Sequence, residues 1–173
     1  MARVLTVGAA QLGPIEKSED RTSVVTRMLD LMNAAKRKGC DLVVFPELAL
    51  TTFFPRWFIT DQNEIDQWFE SEMPGPDTQP LFDMARQSNM AFHLGYAELS
   101  TESDQTHHYN SAILVNKEGE ISAKYRKIHL PGHDEFDPDR DFQHLEKRYF
   151  EVGNLGFPVW RFLGGIFGMC ICN

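Results

Sequence analysis

The sequence predicts an α/β fold, and three observations carry that prediction. An apolar strand, an amphipathic helix and a second apolar strand follow one another over residues 4–45. A shorter helix and strand repeat the order over residues 80–96, and two more strands flank a glycine-bearing loop at 116–120. Strand–helix–strand order of this kind gives parallel strands with a helix packed across them.

Taken in order, residues 4–10 read as a buried strand that ends at the polar Gln11. Ser18, Glu19 and Asp20 supply a cap and early acids for a helix reaching about Arg37. Val25, Met28, Leu29, Met32 and Ala35 share one stripe of it. Lys36, Arg37 and Lys38 suit its C-terminal end, and Gly39 stops it. A continuous apolar strand follows at 42–45 and breaks at Pro46. A helix at 80–87, a strand at 90–96, a strand pair at 111–115 and 121–125, and a last strand at 165–171 complete the elements. Two loop-rich stretches, 51–75 and 131–158, hold Trp57, Trp68, Pro55, Pro74, Pro131, Pro138 and Pro158. Long irregular stretches in a compact α/β domain tend to be binding loops. No repeat or linker divides the chain, so residues 1–173 are expected to form one domain. Its last predicted strand has nothing after it to cover it, and the domain is expected to be incomplete at its C-terminus.

Composition narrows the function. Hydrophobic residues at 42% and charged residues at 24% exclude disordered and fibrous classes. A net charge of −8 with no basic run repels phosphate backbones and argues against a nucleic-acid partner. No apolar run approaches a bilayer span, so no membrane partner is expected. The apolar run at 4–10 is too short for a secretory leader, which predicts a cytoplasmic protein. Cys40, Cys170 and Cys172 are an odd set that suits free thiols in a reducing compartment.

Three reactive side chains fall just past predicted strands: Glu47, Lys127 and Cys172. Ligands in open α/β sheets bind at the carboxyl ends of strands. Each residue alone has a plainer role, as a turn residue, a solvated neighbour of Lys124 and Arg126, or a core thiol. Together they suggest a reaction. His129 and His133 stand at zinc-like spacing, but Pro131 and Gly132 between them forbid the helix that would converge their rings, so no metal is expected. Phe53, Phe54, Trp57 and Phe58 are read as core or subunit contacts.

The segments Phe45-Pro46-Glu47-Leu48, Lys124-Tyr125-Arg126-Lys127-Ile128-His129-Leu130 and Gly168-Met169-Cys170-Ile171-Cys172-Asn173 resemble the motifs of the nitrilase superfamily of carbon–nitrogen hydrolases. Within it, residues 46–57, His129-Leu130-Pro131-Gly132-His133 and residues 142–150 are most similar to N-carbamoyl-D-amino-acid hydrolases. The resemblance spans the whole chain and only the first part of the family's domain. It implies an α-β-β-α sandwich, present here in its N-terminal part, and a Glu47–Lys127–Cys172 triad. It implies supporting or substrate-binding roles for Glu146, His129, His144 and Asn173. No metal or organic cofactor is implied, and a homo-oligomer is. The implied reaction removes the carbamoyl group of an N-carbamoyl amino acid, giving amino acid, carbon dioxide and ammonia. The alternatives are a simple amide, a ureido acid such as β-ureidopropionate or a carbamoylated polyamine as substrate, or an inert fragment. The chain departs from these carbamoylases at Cys170, where a bulkier apolar residue is usual, and in the acidic stretch 134–141. The arginines expected to follow the nucleophile lie outside the sequence.

Overall fold

A computed structural model describes residues 4–172. Its elements in chain order are β1 (Val7–Ala9), α1 (Arg21–Arg37), β2 (Leu42–Val44), α2 (Gln62–Asp66), α3 (Gln79–Ser88), β3 (Ala91–Glu102), β4 (Gln105–Val115), β5 (Ile121–Arg126), α4 (Glu146–Tyr149), β6 (Val159–Phe162) and β7 (Gly165–Gly168). Strands β1 to β5 form one sheet in sequential order. The pairs β1–β2 and β2–β3 are parallel, with Val7 opposite Leu42 and Leu42 opposite Ala91. The pairs β3–β4 and β4–β5 are antiparallel. The expected α/β class and the parallel start of the sheet are both present.

Helix α1 begins at Arg21 because the Asp20 carboxylate caps it, accepting from the Ser23 N–H at 2.7 Å. It ends at Lys38, and Gly39 follows with φ +70, a conformation glycine adopts without Cβ strain. Val24, Val25, Met28, Met32 and Ala35 of α1 and Leu81, Phe82 and Ala85 of α3 bury against one face of the sheet. That face presents Val43, Phe92, Leu94, Tyr96, Ile113 and Val115. The alternation along a strand sends Leu42, Ala91, Ala112, Leu114, Ala123 and Tyr125 to the other face. There Phe162 of the antiparallel hairpin β6–β7 and Ile171 pack against them.

Several boundaries differ from the sequence reading. The first strand is three residues at a sheet edge, with Val7 half exposed, rather than a buried strand over 4–10. Strands β3 and β4 run on to a tight turn at Ser103 and Asp104, φ +51 and +62. Two successive left-handed residues match the right-handed twist of the flanking strands, so the ladder continues through a polar segment. The stretch 165–171 is strand only as far as Gly168. It pairs with the unforeseen β6 across Leu163 and Gly164, which are also left-handed. The short helices α2 and α4 lie inside the stretches read as loops.

On the helix-covered face, β5 delivers Arg126 into a buried ionic network. Its guanidinium donates to both Glu98 oxygens at 3.0 Å, to Glu102 at 2.6 Å and to Asn154 at 2.8 Å. It also lies 3.9 Å from the centroid of the Tyr109 ring. Lys124 reaches Glu98 at 2.7 Å, and the Ser111 hydroxyl donates to it. Burial pushes the Glu98 carboxyl up, but the bonds from Arg126, Lys124 and Ser111 outweigh it and hold the group at about 2. A carboxylate depressed below its ordinary 4.5 stabilises the fold fully above that pH and progressively less as pH falls to about 2. Glu98→Gln should therefore lower the thermal midpoint at pH 7, leaving Arg126 with Glu102 as its one carboxylate partner, at a cost of about 1.5–3 kcal/mol. The gap between variant and wild type should narrow from pH 5 to pH 2, which thermal melts across that range would measure.

Candidate active site

Glu47 is placed by a close crossing of two chain segments. After β2, the Phe45 N–H donates to the His93 carbonyl at 3.0 Å and the Ala49 N–H to the Gly95 carbonyl at 2.8 Å. The loop bearing Pro46 and Glu47 therefore lies against β3. A Cβ at position 95 would stand 2.7 Å from the Pro46 carbonyl and 2.9 Å from the Glu47 Cα, so glycine is required there. Leu48 turns the chain with φ +48, a costly conformation for a bulky side chain. Its side chain is 3% exposed, in a cluster with Phe54, Ala97 and Leu145 that holds the turn.

Lys127 follows β5 by one residue and points away from the Arg126 network, as consecutive residues of an extended chain do. Its N–H donates to the Asn110 carbonyl at 2.7 Å, and its own carbonyl accepts from the Gly153 N–H at 2.9 Å. The side chain is 1% exposed, with Nζ 2.7 Å from Glu47 Oε1 and 2.7 Å from Glu146 Oε2. Burial alone would lower the lysine pKa; the two carboxylates reverse that and raise it above its ordinary value. The ammonium is thus charged at neutral pH. Glu146, in the first turn of α4, is equally buried, and its Oε1 lies 3.1 Å from His144 Nε2. A carboxylate only accepts, so the imidazole carries its proton on that nitrogen. His144 also meets the Phe53 ring edge-on at 5.6 Å.

The sequence-named residues divide accordingly. Glu47, Lys127, Glu146 and His144 converge in one hydrogen-bonded chain. His129 does not join it: the ring is exposed and lies 5.8 Å from that of Phe157. Cys172 arrives through Ile171, whose side chain packs with Ala112 and Tyr125 on the face that also carries Lys127. The Cys172 thiol is exposed and, among the described residues, bonds to neither Glu47 nor Lys127. Its backbone is left-handed, φ +51, an arrangement of non-glycine residues that concentrates at functional sites. Asn173 lies outside the described residues.

The sequence reading passed over Asn110. It is fully buried in β4, and its Nδ2 donates to Glu47 Oε1 at 2.6 Å. The signal was available, since asparagine is disfavoured inside a strand and this one heads the run Ser111-Ala112-Ile113-Leu114-Val115. Two donors thus occupy Glu47 Oε1, and Oε2 has no hydrogen-bond partner among the described residues. A carboxylate with one oxygen pinned and one free can accept a proton there. The ammonium beside it can stabilise negative charge developing on a bound oxygen. Among the described residues, no group of three or more His, Cys, Asp or Glu side chains is arranged to hold a metal ion. A cavity of about 260 Å³ adjoins Glu47, lined also by Leu12, Thr51, Thr52, Phe53 and Arg56.

Comparison with known proteins agrees with the motifs. The chain is 30% identical over 165 residues to a glutamine-dependent NAD(+) synthetase of Synechocystis, covering 90% of this chain and 27% of that one. It is 33% identical over 142 residues to a nitrilase of Pyrococcus abyssi, covering 82% and 46%. It is 27% identical over 172 residues to an N-carbamoylputrescine amidase of Solanum lycopersicum, covering 98% and 51%. Among solved structures, an amidase from Nesterenkonia sp. superimposes with a TM-score of 0.71 at 19% identity, covering 97% of this chain and 55% of that one. A carbon–nitrogen hydrolase from Helicobacter pylori gives 0.66 at 23% identity, covering 88% and 46%. The chain thus spans roughly a quarter to a half of the curated relatives it matches. The family model described as carbon-nitrogen hydrolase matches residues 6–173, and the chain belongs to that family.

Proposed function

We propose that the complete protein is an amidohydrolase that removes the carbamoyl group of an N-carbamoyl amino acid. The observation that carries this reading is the buried Lys127 ammonium held at 2.7 Å by both Glu47 and Glu146, with Glu47 Oε2 left open. In this reading Glu47 Oε2 takes the Cys172 thiol proton, and the thiolate adds to the carbamoyl carbon. Lys127 stabilises the resulting oxyanion. The carbon–nitrogen bond to ammonia breaks as Glu47 returns the proton, leaving an S-carbamoyl enzyme that still carries the amino acid. Water activated by Glu47 then adds to that carbonyl and expels the cysteine sulfur. The N-carboxy amino acid so released loses carbon dioxide.

Arg56 favours a carboxylate-bearing substrate. It stands at the cavity beside Glu47 and, among the described residues, forms no ion pair, resting only near the faces of Trp57 and Phe142. A polyamine tail would meet like charge there, whereas an amino-acid carboxylate would find a bidentate partner. The second reading, an N-carbamoylputrescine-type substrate, has its support in the similarity to the tomato amidase.

Glu47→Gln should reduce kcat by at least ~10²-fold and Lys127→Ala by ~10²–10³-fold, measured as ammonia release by the complete protein. Cys172 should alkylate faster than Cys40 and Cys170, and lose that advantage in Glu47→Gln. Equal rates at all three thiols in the folded protein would remove the activated nucleophile. Turnover compared on N-carbamoyl-D-phenylalanine, N-carbamoyl-β-alanine and N-carbamoylputrescine separates the substrate classes. Arg56→Ala should raise KM for the acidic substrates about 10-fold or more and lower it for N-carbamoylputrescine, whose like charge it no longer opposes. A uniform change across all three would remove the carboxylate role.

A further inference from the structure

We propose that Asn110 is a positioning residue for the proton-accepting carboxylate: it ties Glu47 to the strand that also holds Lys127, and so aims Glu47 Oε2 at the reacting thiol. This rests on the reading of Glu47 as the base. One residue makes both ties. The Asn110 side-chain amide donates to Glu47 Oε1 at 2.6 Å, while its backbone carbonyl accepts the Lys127 N–H at 2.7 Å. Glu47 and Lys127 are 80 residues apart in the chain, and β4 is the bridge between them.

The local sequence makes room for this. Asn110 stands opposite Ala97 in β3, and the next residue on its own face is Ala112, so small side chains flank the amide. An asparagine there satisfies no ladder hydrogen bond with its side chain, and its Oδ1 is buried without a partner among the described residues. A valine or alanine would pack the strand at lower cost. The amide is aligned with its donor side to the carboxylate, because the reversed amide would set oxygen against oxygen. Together with Lys127 Nζ it places two donors on Oε1 and, among the described residues, none on Oε2, fixing the plane of the carboxylate and the direction of its free lone pairs.

The test is the pH dependence of kcat and KM in the complete protein, for wild type, Asn110→Leu, Asn110→Asp and Glu47→Gln. Asn110→Leu should lose about 10- to 100-fold in kcat, with KM changed little, because a donor to a charged group is removed without touching substrate. Its acidic limb should move to higher pH. In the nearly isosteric Asn110→Asp a second carboxylate opposes ionisation of Glu47, and the limb should rise by about one pH unit or more. A purely structural asparagine would lower the amount of folded enzyme and leave the profile of the active fraction in place; profiles superimposable on wild type would overturn the proposal. Should neither variant melt cooperatively, the side-chain amide of Asn110 in ¹⁵N-asparagine-labelled wild type gives the same answer. Its resonance should titrate along the acidic limb and cease to titrate in Glu47→Gln, and a resonance indifferent to that change would overturn it. An inactive wild type, or full activity in Glu47→Gln, would instead overturn the base assignment and this proposal with it. Glu47→Gln dead with an unshifted Asn110→Asp profile would sink the Asn110 role alone.

Discussion

An ammonium with 1% of its side chain exposed must be balanced where it lies, and the balance at Lys127 sets the terms for everything around it. Charges leave water at a cost of several kcal/mol each, which close pairing and further hydrogen bonds must offset. Two carboxylates at 2.7 Å do so, and each is itself bonded elsewhere: Glu47 to Asn110, Glu146 to His144. The partners come from the loop after β2, from β4 and from α4, so the sheet and two long loops must close before the lysine is satisfied. Removing one carboxylate would leave the buried ammonium dependent on the other alone. A buried triad of this kind is a poor way to gain stability. It is a good way to hold three functional groups in one geometry.

The sheet also separates two ionic systems that share a strand. Arg126 enters the Glu98 network beneath the helices, and Lys127, the next residue, enters the Glu47–Glu146 pair on the opposite face. Adjacent residues of an extended chain have no choice but to diverge. The Arg126 side, fully paired and flanked by the Tyr109 ring, fixes the end of β5 and thereby the starting point of the lysine. Gly153 completes the clamp, since a Cβ there would collide with the Arg126 carbonyl. Electrostatics on the helix-covered face thus set the position of a charge on the opposite one.

Much of this was legible in the sequence, for identifiable reasons. The 3.6-residue stripe in α1 and the unbroken apolar run of β2 gave the α/β class, because burial on one face leaves a periodic trace. Glu47, Lys127 and Cys172 stood out as reactive residues at strand ends, and the motifs around them gave the family. The polar halves of β3 and β4 were not legible. Their residues satisfy one another across the strands and with Glu151, Asp66 and Asn154, so no alternation of apolar and polar marks them. The turn at Ser103 and Asp104 lacks the Asn-Gly or Asp-Gly pair that usually announces it. His129 stands apart from the carboxylates for a different reason. It sits two residues past Lys127, and nearness in the chain does not bring it to the carboxylates once β5 has ended.

Asn110 shows where sequence reasoning stops short and why. Reactive side chains declare themselves by type, but an amide that only steers a carboxylate has no chemistry of its own to detect. What betrays it is a conflict between levels: a polar, strand-averse residue fully buried in the central part of a sheet, with one of its own atoms left unsatisfied. Such conflicts persist where the surroundings derive something from them. Here the gain is directional. Among the described residues Oε1 is engaged twice and Oε2 not at all, so the asymmetry of Glu47 originates outside Glu47. In the bonded half of the site, Lys127, Glu146 and Asn110 are buried, and Glu47, which they hold, is partly exposed toward the cavity. Cys172, on a left-handed backbone at the surface, is the half left open to approach. In the proposed mechanism a nucleophile must meet its substrate while its base and charge stabiliser must not move, and the division of burial between the two halves suits that difference.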